Sequence, residues 1–250
     1  MPQPSLVRVT PETVEKTGFF CKMSGRKTEG YKRKRAWLDA RFAEGLEIAL
    51  LGDGERGMIE TMPGAHCWRA IEAEDYLVIH CLWVVGKSKG KGLARLLLDD
   101  AEQRAHARGY KGLAAVASTG NWLIGPPVLQ KYGFEPVVEE APYSIHVKRF
   151  DDTAADPTFS GSFADKAKAA GDGFTVFVTD QCPYLADATK TFEAQATERG
   201  IPFRVERIET AQAVREKMPS PYGTFGVVRD GALFADTYLL PKQIAKLLEG

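Results

Sequence analysis

The sequence has no apolar run near the ~18 residues that a membrane-spanning helix needs, and no excess of either charge. Lys plus Arg and Asp plus Glu both number 33, for a net charge of zero. A general nucleic-acid binder, which carries a basic excess, is therefore not expected; a local basic patch for a phosphorylated ligand stays compatible with the balance. Cysteine is sparse. Cys21, Cys67, Cys81 and Cys182 follow no disulfide-scaffold spacing, which fits reduced thiols in a cytoplasm. The start lacks a basic segment followed by an apolar one, so no secretory signal is expected. The dipeptides His66-Cys67 and His80-Cys81 do not form a zinc pattern, because neighbours on a strand point to opposite faces, and no metal is expected. Hydrophobic residues at 44% and charged residues at 26% are ordinary for a globular chain.

The pattern along the chain is mixed α/β. Leu6–Val9 alternates as a strand, and 29–44 reads as an amphipathic helix in which Lys32-Arg33-Lys34-Arg35 is a solvated face. Strands at 46–51 and 57–62 flank Gly52-Asp53-Gly54, a hairpin signal. The run from Tyr76 to Val85 is short, apolar and β-branched, as in a buried central strand. A helix follows over 93–108, then strands and a short helix opened by Pro126-Pro127. At Asp151 the composition turns polar. We expect a first domain over 1–150, a linker over 151–172 with a short helix near Phe163, and a second domain over 173–250. The second reads strand, helix, strand, helix, hairpin, helix.

The chemistry concentrates where the central strand meets Gly86-Lys87-Ser88-Lys89-Gly90-Lys91-Gly92 and opens a helix at Leu93. Free N–H groups at a helix start, with the positive end of its dipole, receive phosphate oxygens. Glycine lets the backbone approach such a group closely. The order of residues supplies neither a Walker loop nor a Rossmann fingerprint.

Lys89-Gly90-Lys91-Gly92-Leu93-Ala94 resembles the Arg/Gln-x-x-Gly-x-Gly/Ala signature of the GNAT N-acetyltransferases, with Lys in place of Arg or Gln. Lys131-Tyr132-Gly133-Phe134 resembles a second element of that family, and Asn121 stands where the family often carries an Asn toward the cofactor. The resemblance covers about 1–150 and implies a mixed GNAT sheet and acetyl-CoA as co-substrate. It also implies a pyrophosphate held by Lys89 to Ala94 and a pantetheine arm along Leu82, Trp83 and Val84. The acceptor would be a small-molecule or peptide amine, whose ammonium form must lose a proton before it attacks. His80 is the candidate base, two residues before Leu82 and so expected on the same strand face. Family members often place a proton-donating Tyr where this chain has Leu129, so Tyr132, three residues on, becomes the candidate acid.

In the second domain, Cys182-Pro183-Tyr184 sits between a strand and a helix and resembles the glutaredoxin motif of the thioredoxin-like fold. The helix dipole favours a thiolate at such a position. Pro221 is the expected cis-proline facing it, and Leu185 occupies the place of a second cysteine. The combination resembles bacterial acetyltransferases with a YoaP-type C-terminal domain. Two alternatives stay open: a thiol-redox or glutathione-handling protein centred on Cys182, and an acetyl-CoA-binding module without turnover. A homodimer is compatible with either.

Overall fold

The computed structural model describes residues 4–249. In chain order the elements are β1 (Leu6–Val9), α1 (Val14–Thr17), α2 (Glu29–Ala43), β2 (Glu47–Leu51), β3 (Gly57–Pro63), β4 (Ile71–Glu72), β5 (Tyr76–Val84), α3 (Leu93–Ala107), β6 (Gly112–Ser118), α4 (Pro126–Lys131), β7 (Glu135–Glu140) and β8 (Tyr143–Arg149). They continue with β9 (Thr158–Phe159), α5 (Phe163–Ala169), β10 (Phe174–Val178), α6 (Leu185–Glu198), β11 (Phe203–Arg207), α7 (Ala211–Lys217), β12 (Phe225–Arg229), β13 (Ala232–Ala235) and α8 (Pro241–Glu249). None of these helices is long and apolar enough to cross a membrane.

Two compact units emerge, and they are not collinear with the chain. The larger holds the described residues up to Met23, Leu38–Cys67 and Ile71–Thr158; the smaller holds Ser24–Trp37, Trp68–Ala70 and the described residues from Phe159 onward.

The larger unit is built on a seven-stranded sheet in the order β1-β2-β3-β5-β6-β8-β7. Its one parallel pair is β5–β6; the other neighbours are antiparallel. The apolar stripe of α3 at Leu97, Leu98, Ala101 and Ala105 packs on Ile59, Leu77, Ile79, Leu113, Ala115 and Ala117, with Leu129 and Phe134 closing the cluster. Polar residues of α3 tie its rim to the sheet: Arg104 bonds Glu47 and donates to Thr61 Oγ1 at 2.9 Å, and Asp100 accepts from Arg8.

The smaller unit carries a four-stranded sheet in the order β11-β10-β12-β13. β10 runs parallel to β11 and antiparallel to β12, and β13 is antiparallel to β12. β10, apolar but for Thr175, is buried throughout, as a strand covered on both faces is. Phe192 of α6 meets Phe174 and Phe203 edge-on at 5.6 and 5.9 Å.

The two early segments are integral to this unit. Trp37 and Trp68 stack edge-on at 5.2 Å. Arg69 is buried, and its guanidinium donates to Tyr222 O at 2.7 Å. Lys34 is only 3% exposed and lies over the Trp37 ring at 4.1 Å, so the expected solvated face at Lys32 to Arg35 is corrected there.

The peptide before Pro221 is trans; among the described residues the cis bond is Ala141–Pro142. Pro221 instead fills the second position of a turn closed by Gly223 N–H to Ser220 O at 3.3 Å, a place that suits an ordinary trans proline.

Gly30 lies in α2, where alanine would normally gain about 1 kcal/mol of helix propensity. Here a Cβ would stand 2.0 Å from the carbonyl oxygen of Pro183. Gly30→Ala is therefore expected to destabilise by roughly 1–3 kcal/mol, read as a lower urea midpoint. A raised midpoint would show that the contact does not constrain the helix.

Candidate functional site

The β5–β6 ladder runs only from Tyr76↔Gly112 to Ile79↔Ala115. Beyond it the strands part. β5 stays paired to β3 as far as Gly57↔Val84, while β6 continues along β8 to Ser118↔Tyr143. In an antiparallel ladder only alternate residues bond to a given neighbour. Part of the backbone of residues 80–84 is thereby turned toward the opening between the two strands. On the β6 side, the loop after the strand folds back, with Ser118 N–H donating to Ile124 O at 3.2 Å.

His80 sits at the point of divergence. The register passes from Thr61↔Ile79 to Glu60↔Cys81, so His80 is the extra residue of a β-bulge. The bulge breaks the two-residue alternation. Leu77 and Ile79, and then Leu82 and Val84, pack toward the α3 cluster. The expectation that His80 shares the face of Leu82 is therefore corrected: its ring meets Glu60 on the opposite side of the sheet, Nδ1 lying 3.3 Å from Oε1. Both side chains are nearly fully buried. Sequence reasoning missed Glu60, although a carboxylate between Met58 and Met62 on one strand face is a visible signal.

From β5 the chain enters the glycine loop. Gly86, Gly90 and Gly92 have φ of 61°, 77° and 76°, a region that disfavours any side chain. A Cβ at any of the three would meet nothing within 4 Å, so the loop is open on its outer side. Gly92 is the N-cap of α3, which has no side-chain cap and no acid in its first turn. The N–H groups there and the positive end of the dipole remain available to an anion.

Lys87, Lys89 and Lys91 are exposed, and Lys91 Nζ donates to Glu55 Oε1 at 2.7 Å. That bond, with help from Ser88, holds the Glu55 carboxyl below the usual carboxylate range. Ser88 is wholly buried, and its Oγ accepts the N–H of Arg56 at 2.8 Å. No spacing along the chain signals either contact, because the partners lie on a distant hairpin.

Of the other expected residues, Leu82, Trp83 and Val84 are half-buried on β5. Asn121 donates from Nδ2 to Tyr143 Oη at 2.9 Å and accepts Leu123 N–H at 3.0 Å, which orders its loop. Tyr132 is the C-cap of α4, and its ring packs on the α3-side cluster beside the buried Leu129. Tyr132 and His80 thus project to different sides of the sheet. Cys182 is half-buried and precedes α6, with Leu185 N–H donating to its carbonyl at 3.2 Å. Leu185 is fully buried, and Asp180 beside the motif is bonded by Arg207 at 2.6 Å.

Residues 19–122, which include β5 and the whole glycine loop, match the family model "Acetyltransferase (GNAT) family". Over that stretch, 104 of its 250 residues, the chain is similar to the GNAT acetyltransferases. Over 247 residues, covering 97% of both chains, it is 27% identical to a Bacillus subtilis relative named "Uncharacterized N-acetyltransferase YoaP". It is 32% identical over 88 residues to the L-methionine sulfoximine/L-methionine sulfone acetyltransferase of Pseudomonas paraeruginosa, a match spanning 35% of this chain and 51% of that one. Among solved structures, the Escherichia coli GNAT family N-acetyltransferase YhbS in complex with CoA aligns over 60% of this chain and 83% of its own, at 15% identity and a TM-score of 0.41.

Proposed function

We propose that the protein transfers the acetyl group of acetyl-CoA to a primary amine of a small molecule or peptide. The observation that carries this reading is the junction of two features: a strand that parts from its parallel neighbour, and an open glycine loop leading into an uncapped helix. Lys89, Gly90, Lys91, Gly92, Leu93 and Ala94 would hold the pyrophosphate through backbone N–H groups and ammonium charge. The unpaired edge of β5 at Leu82, Trp83 and Val84 would bind the pantetheine arm as an added strand. The Leu82 N–H is the proposed donor to the thioester oxygen.

His80 is the proposed base. Glu60, 3.3 Å from Nδ1, would orient the ring as it takes a proton from the acceptor ammonium. Tyr132 is the proposed proton donor to the departing thiolate, and Asn121 orders the loop beside the opening. The relative from Pseudomonas paraeruginosa is named for acetylating amino-acid analogues that bear a primary amine, which makes free amino acids the first acceptors to try.

The smaller unit is proposed to be thioredoxin-like, supported by its strand order with Cys182 between β10 and α6. Its role is proposed as structural or acceptor-contacting rather than redox. Pro183 is packed against Gly30 of α2, and a core leucine stands where a second thiol would be.

The test is release of free CoA thiol from acetyl-CoA across a panel of amino acids and peptides, for the wild type and Cys182→Ser. Amine-dependent release by both proteins is expected. Binding of acetyl-CoA without release for any amine would favour the non-catalytic module, and loss of activity in Cys182→Ser would favour a thiol role.

A further inference from the structure

The turn between β2 and β3 brackets the glycine loop at several points. Gly57 allows the approach, since a Cβ there would stand 2.9 Å from Trp83 O. Val85 N–H donates to Arg56 O at 3.0 Å, and Arg56 N–H returns to Ser88 Oγ at 2.8 Å. Glu55 accepts from Lys91 Nζ at 2.7 Å with its side chain 20% exposed. Its other oxygen, Oε2, is buried. The loop is thus pinned in its middle at Ser88 and at its end by Lys91, one residue before the cap of α3.

We propose that Glu55 is a positioning residue for the pyrophosphate loop: it fixes Lys91, and with it the backbone at Gly90 to Gly92, in the conformation that receives the anion. The inference rests on the acetyl-CoA reading above. Two opposed effects must be weighed. A carboxylate near an anion site repels the ligand, but Glu55 and Lys91 are partly exposed, and water and salt weaken that repulsion. Loss of the latch frees a loop holding three glycines with positive φ, and these must then be reordered at each binding event. The ordering effect is the larger, so removing Glu55 should weaken binding although it removes a negative charge.

The experiment compares wild type, Glu55→Ala and Glu55→Gln with acetyl-CoA and with the acetyl thioester of N-acetylcysteamine, which has no pyrophosphate. Glu55→Ala should raise KM for acetyl-CoA roughly tenfold, with kcat within about twofold and an unchanged unfolding midpoint. Glu55→Gln keeps an acceptor for Lys91 and should recover most of the loss. Neither variant should change kcat/KM for the truncated donor. A Glu55→Ala enzyme with unchanged or lowered KM for acetyl-CoA would overturn the proposal, as would equal losses with both donors. A wild-type enzyme that does not prefer acetyl-CoA over the truncated donor would instead remove the pyrophosphate reading itself, and this proposal with it.

Discussion

Gly92→Glu is expected to abolish measurable binding of acetyl-CoA. Two physical effects act together. Gly92 has φ of 76°, a region that costs an ordinary residue roughly 1–2 kcal/mol. The new carboxylate would also stand at the positive end of α3, where the pyrophosphate is to be held. An affinity loss of at least ~100-fold, about 2.7 kcal/mol, is expected by titration calorimetry. Because nothing lies within 4 Å of a Cβ at this position, the protein has room to fold around the side chain. Gly92→Asn is the matching control, since asparagine tolerates the left-handed region and adds no charge. It should retain binding within about tenfold. Wild-type affinity in Gly92→Glu would place the anion elsewhere.

His80→Ala is expected to lower kcat by roughly 10²–10⁴-fold, the usual worth of a positioned base. KM for acetyl-CoA should stay within about threefold, because the proposed cofactor contacts lie further along β5 and in the loop. The pH–rate profile gives the sharper readout. A base must be unprotonated to act, so His80→Ala should change the rise of the rate with pH and leave only the dependence set by the acceptor amine. The side chain is buried beside Glu60, so its loss will also affect folding. An unfolding curve for the variant separates the two effects, and a folded His80→Ala enzyme with wild-type kcat would remove His80 from the mechanism.

Much of the larger unit could be read directly from the residues. The run from Tyr76 to Val84 is a central strand, and the lysine- and glycine-rich loop with the apolar spacing of Leu97, Ala101 and Ala105 makes the strand–loop–helix junction legible. These signals are local and periodic. The bulge at His80 is not: alternation assumes an unbroken ladder, and a single extra residue turned the inferred face over. Glu55, Ser88 and Glu60 entered the site through contacts between segments 20 to 36 positions apart, which no spacing rule reports. The same limit applies to Lys34. Within its own helix, beside Trp37 three residues on, it looks like one more solvated cation, and its burial comes from a unit assembled from distant segments. Gly30 is a signal present in the residues themselves, since a glycine inside a helical pattern marks a close backbone approach.

The measurement that tests the central claim most directly is calorimetric titration of the full chain with acetyl-CoA. The account expects saturable one-site binding with Kd on the order of micromolar, weakened by rising salt as the loop lysines are screened, and lost in Gly92→Glu. Absence of saturable binding to the folded wild-type protein at about millimolar acetyl-CoA would contradict it.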